Sequence, residues 1–121
     1  MEMWTPITLE ELESMMARHQ AEMDSKQLRL WSLIRTPPVK WSEDEYGNEG
    51  GGFWVVGLFG NYVLWYNDIE EGFNIGTYTV YGKIDEYACE QYHLNHSVNQ
   101  IYWLIEAGIY PSFPKEKLLG D

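Results

Sequence analysis

Phe53-Trp54-Val55-Val56-Gly57-Leu58-Phe59-Gly60-Asn61-Tyr62-Val63-Leu64-Trp65-Tyr66 is the stretch that decides the fold class. Two runs of aromatic and β-branched residues flank Gly60-Asn61, a pair suited to the left-handed backbone angles of a tight hairpin. Adjacent rings such as Phe53 and Trp54, or Trp65 and Tyr66, point to opposite faces of a strand, so one ring joins a core and the other is either covered or open. Gly57, Gly60 and Asn61 interrupt the stretch, and the chain has no continuous apolar run of about eighteen residues that would read as a membrane span.

Beyond the hairpin, Asn67, Asp68 and Gly72 mark a wider turn around Ile69-Glu70-Glu71. Phe73 to Tyr81 resumes strand-type content, which gives at least three antiparallel strands. Leu94, Val98, Ile101 and Ile105 fall on one stripe of a helix whose start lies between Asp85 and Asn95. Gly108 is placed for a left-handed cap and Pro111 blocks continuation, leaving residues 109–121 as an irregular tail.

Before the hairpin, Thr8 and Glu11 have capping-box spacing and Ile7 precedes them as a staple residue, so residues 9–23 read as an amphipathic helix. Lys26 to Arg35 fits both alternation and a helical stripe. Its aromatic and branched content favours a strand, whereas Asp24 and Ser25 would cap a helix, and Pro37-Pro38 stops either. Trp41 to Gly52, acidic and glycine-rich, reads as a mobile surface loop. The expected architecture is one α+β domain over residues 1–121: an antiparallel β-meander of three to five strands packed with two amphipathic helices, one at each end of the chain.

Charge narrows the function. Nineteen acids oppose eight bases for a net −11, and residues 43–106 hold eleven acids against the single base Lys83. A negative field of this kind, reaching about 8 Å at physiological salt, repels phosphate backbones and attracts cations. Nucleic acid is therefore excluded first as a partner, and a basic protein or peptide is favoured. Cys89 is the only cysteine, so no internal disulfide forms. With no positively charged, apolar start to the sequence, a cytoplasmic setting is expected.

Three groups of residues could carry chemistry. Cys89, His93 and His96 would share a helix face if the last helix began early enough, offering a zinc site or an activated thiolate. Their spacing matches neither the Cys-x-x-Cys nor the His-Glu-x-x-His pattern, and continuation of a strand through Ile84 to Glu90 would dissolve the alignment. The carboxylates Asp68, Glu70 and Glu71 could bind calcium or divide acid and base roles in glycoside hydrolysis, but they lack the helix-loop-helix calcium pattern and an assignable partner carboxylate, and read first as a solvated acidic turn. Trp54 or Trp65 on an open sheet face would form a platform for a ring or a basic chain.

The expected function is a non-enzymatic interaction domain without cofactor or metal, of the inhibitor or immunity type. Glu43, Asp44, Glu45, Glu49, Asp68, Glu70 and Glu71, together with Trp54 and Trp65, would form its partner-binding surface. The alternatives are a small hydrolase or metal-dependent enzyme using Cys89, His93 and carboxylates, and a carbohydrate or small-ligand module using an exposed tryptophan.

Overall fold

Two capping boxes set the beginning of the chain's fold. The Thr8 hydroxyl accepts the Glu11 N–H at 3.1 Å and the Glu11 carboxylate accepts the Thr8 N–H at 3.0 Å, which starts α1 (Leu9–Gln20). The Asp24 carboxylate accepts the Gln27 N–H at 2.8 Å and the Gln27 side chain accepts the Asp24 N–H at 2.9 Å, which starts α2 (Ser25–Ile34). The strand reading of residues 26–35 is thereby corrected. Leu30, Trp31 and Ile34 are buried as a helical stripe, and the reciprocal cap outweighs the branched content that suggested a strand. The computed structural model describes residues 4–108; the expected tail at 109–121 lies outside them.

Pro37 and Pro38 do follow the end of a helix, but they also sit within a strand, β1 (Arg35–Trp41). That strand lies at the edge of the sheet, where a missing N–H is tolerated, and its pairing is irregular between Arg35 and Val39. The hairpin forms as expected from β2 (Phe53–Phe59) and β3 (Tyr62–Asn67), with Gly60 at φ +62°. β4 (Gly72–Thr77) completes an antiparallel meander in the order β1-β2-β3-β4 and stops short of the expected Tyr81. α3 (Leu94–Glu106) begins at the late end of its expected range, and Gly108 follows it at φ +78°.

The sheet is buried on both faces, which explains why β2 and β3 read as nearly continuous apolar runs. On one face, Val56, Leu64, Tyr66 and Phe73 pack against Leu12 and Met16 of α1, Trp31 and Ile34 of α2, and Leu94, Val98 and Ile101 of α3. On the other, Phe53, Val55, Val63 and Trp65 pack with Trp41 and Ile84, flanked by Trp4, Tyr78, Tyr87 and Ala88. Residues 78–92, which carry no regular helix or strand, strap this second face. Truncating any of the buried rings to alanine would cost roughly 3–5 kcal/mol.

Backbone and amide contacts hold the strap. The Phe73 N–H donates to the Tyr92 carbonyl at 2.9 Å, the Asn67 amide to the Ala88 carbonyl at 2.8 Å, and the Asp85 N–H to the Thr77 carbonyl at 3.0 Å. Buried Asn74 exchanges two bonds with the Glu90 backbone, at 3.0 and 2.8 Å. The chains approach so closely that a Cβ on Gly72 would lie 2.2 Å from the Gln91 Cα. Among the described residues, no helix is long and apolar enough to cross a membrane.

Candidate functional site

The meander brings the two acidic connections together. Trp41 pairs with Phe53 and Asn67 with Gly72, so the β1–β2 connection and the β3–β4 turn leave the sheet at the same end. Rings tie the first connection to the core: Tyr46 packs edge-on against Tyr87 at 4.7 Å, and Tyr87 lies against Phe53 and Trp65. Trp4 stacks on Phe53, close enough to Gly50 that a Cβ there would lie 2.4 Å from the indole. Both connections therefore border the same end of the sheet.

The first connection is a built element, which corrects the reading of Trp41–Gly52 as a mobile loop. Glu43 is only 2% exposed, and its carboxylate accepts the N–H groups of Glu45 at 3.0 Å, Tyr46 at 2.8 Å and Gly47 at 2.8 Å. The Asn48 side chain closes the turn by accepting the Glu43 N–H at 3.0 Å, and a short 3-10 turn, Gly47–Gly50, follows. Glu43 therefore shapes the edge from inside and is not on the partner-facing surface expected of it. A negative charge inside a turn is tolerated because three aimed N–H donors replace water.

The other acids divide by what they meet. Asp44 pairs with Lys83 at 2.9 Å, and this hydrogen bond and charge hold its carboxyl below the usual aspartate range. Glu45, Glu49, Glu70 and Glu71 make no ion pair among the described residues. Lys40 turns inward to the Gly50 carbonyl at 3.1 Å and lies over the Trp54 ring at 5.3 Å. Asp68 is half-buried and accepts the Ile7 N–H at 2.8 Å, tying the N-terminal segment to the turn. Burial pushes its carboxyl up, opposed by that bond, by the neighbouring Trp4 indole and by Lys40. Burial, reinforced by Glu71 and Asp68, pushes the Tyr66 phenol up to about 12.

Neither tryptophan forms the open platform. Trp65 is 0% exposed and belongs to the strapped face. Trp54 is partly buried beside the helical core, its indole N–H donating to the Ile7 carbonyl at 3.1 Å. The ring presented at the acidic edge is Tyr46, 46% exposed, which the composition of its segment had hidden among glycines and glutamates. A second exposed ring, Trp103 at 62%, borders a cleft of about 260 Å³ between β4, the strap and α3, lined also by Ile75, Glu90 and Gln100.

The cysteine–histidine group does not assemble. α3 begins at Leu94, so exposed Cys89 lies on the strap and the helical spacing to His93 does not apply. Among the described residues, no three His, Cys, Asp or Glu side chains are grouped to hold a metal ion. His93 instead stacks on His19 of α1, a neighbour that local sequence spacing could not supply. Comparison with protein-family models, curated proteins and solved structures finds no match to this chain.

Proposed function

We propose that this chain is a non-enzymatic binding protein whose acidic edge receives a basic protein partner, in the manner of an inhibitor or immunity protein. The observation that carries the reading is that Glu45, Glu49, Glu70 and Glu71, none of them ion-paired among the described residues, lie on the two connections at one end of the sheet together with the exposed ring of Tyr46. Like charges gathered without compensation repel one another, and a cationic surface relieves that repulsion while accelerating encounter. The bonds that Glu43 accepts hold one side of the edge in shape before binding, which lowers the ordering cost of association. Tyr46 supplies an amphipathic anchor with few rotatable bonds.

The test is charge reversal. The wild-type chain and a variant with Glu45, Glu49, Glu70 and Glu71 all changed to Lys are used to capture proteins from the source cells by cross-linking. Recovery by the wild type of a basic protein that releases with rising salt, and its loss from an equally folded variant, supports the proposal. A recovered partner that is acidic, or that binds both forms alike, removes it. The cleft beside Trp103 favours one second reading, a small-ligand module, because an exposed tryptophan there lines the same cleft as Gln100 and Glu90. Quenching or shift of tryptophan fluorescence by a sugar panel, abolished by Trp103→Ala, would distinguish it.

A further inference from the structure

His19, in the last turn of α1, accepts a hydrogen bond that only a ring unprotonated at Nδ1 can accept. α3 starts without a side-chain cap from its own N-cap residue, His93. The Leu94 N–H instead donates to Nδ1 of His19 at 3.0 Å. The first N–H groups of any helix lack intrahelical acceptors, and here one of them is satisfied from another helix. The His19 ring lies parallel to His93, with 4.1 Å between centroids and 8° between planes, and packs edge-on against Phe73 of β4 at 5.6 Å.

The charged and titratable groups around the ring come from both helices. Arg18 precedes it on α1, Glu22 follows α1, and His93 and His96 stand at the start of α3. His93 Nδ1 lies 3.2 Å from a Glu22 carboxylate oxygen, and its ring stacks on His96 at 5.8 Å.

We propose that His19 is a proton-sensitive latch between the end of α1 and the start of α3, closed while its ring is neutral and opened by protonation. In the closed form Nδ1 keeps its lone pair for Leu94 and Nε2 carries the hydrogen. Protonation places a hydrogen on Nδ1, so two donors face each other and the bond is lost. It also sets a positive charge at the helix N-terminus, where the dipole disfavours it. Stacking compounds the effect, because protons on both His19 and His93 would repel across the parallel rings.

Burial, and then the charge of His93, hold His19 below the ordinary imidazole value of 6.5, with Glu22 opposing. The unfolded chain therefore takes up this proton before the folded chain does. The latch's stabilisation is complete above about pH 6.5 and is lost as pH falls from there through the folded value. His93 also lines a surface depression with Ile69, Glu70 and Glu71, so opening the latch disturbs the flank of the acidic edge.

The experiment follows the full-length wild type and His19→Asn, whose side-chain oxygen offers Leu94 an acceptor that does not titrate. Nitrogen NMR reads the His19 tautomer and its titration, and hydrogen exchange reads Leu94 after correction for intrinsic rates. Expected are an Nε2-protonated ring at pH 7.5, a titration midpoint below 6.5, and Leu94 protection that falls roughly fivefold more in wild type than in the variant between pH 7.5 and 5, the weight of one net hydrogen bond. A wild-type ring protonated at Nδ1 at pH 7.5, a midpoint at or above 6.5, or Leu94 protection that is flat across this range would overturn the proposal. These wild-type readouts decide the matter even where the variant fails to fold.

Discussion

Replacing Glu43 with alanine tests whether the acidic edge is held from within. The change removes a carboxylate that accepts three N–H groups, those of Glu45, Tyr46 and Gly47. Glu45 and Tyr46 are exposed residues, so water can recover part of what their N–H groups lose; Gly47 is buried. Stranding the Gly47 donor costs about 2 kcal/mol and weakening the other two bonds about 0.5 kcal/mol each, so the variant should lose roughly 3 kcal/mol. With a urea dependence of about 1.5 kcal/mol per molar, the unfolding midpoint would fall by roughly 2 M. Glu43→Gln keeps the oxygen position that serves Tyr46 and Gly47 but turns an amide donor toward the Glu45 N–H, so its loss should be about half as large. Equilibrium urea unfolding at pH 7, followed by tryptophan fluorescence and circular dichroism, measures both. An alanine variant within about 0.5 kcal/mol of wild type, or a glutamine variant less stable than the alanine one, would refute an internally anchored loop.

Other substitutions probe other joints of the fold. Gly72→Ala forces a methyl against the Gln91 backbone, so it should destabilise by roughly 2–3 kcal/mol in thermal or urea unfolding, with hydrogen-exchange protection at Phe73 lost first. Asp24→Ala removes the α2 cap and should cost about 1 kcal/mol, whereas Asp24→Ser should recover most of it. Asp68 titrates above its ordinary 3.8 in the folded chain, so the folded state binds its proton more tightly; its contribution to stability is present below that value and is lost as pH rises through the folded value. Stability curves of wild type and Asp68→Asn should accordingly diverge in that window, the wild type losing ground as pH rises, and parallel curves would contradict the burial argument.

The parts of this protein legible in its sequence are those encoded within a few residues. The hairpin at Gly60-Asn61, the capping box at Thr8 and Glu11, the stripe of α3 and its glycine terminator all depend on neighbours three or four positions away, and all appear in the structure. The second capping box, at Asp24 and Gln27, was equally local, but the strand-like composition after it masked the signal. Charge concentration was also readable, because a count of acids and bases needs no coordinates.

What each charged or aromatic residue faces was decided only by the tertiary structure. Trp65 is sealed because an irregular strap, with no periodic pattern to announce it, covers the sheet's second face. Glu43 and Glu45 look alike in sequence, yet one accepts three backbone donors and the other faces solvent. His19 and Leu94 meet across a sequence separation of 75 residues. Local propensity sets the conformation of a segment, but its partners are chosen by the burial of every other segment at once, and that choice leaves no short-range mark in the chain.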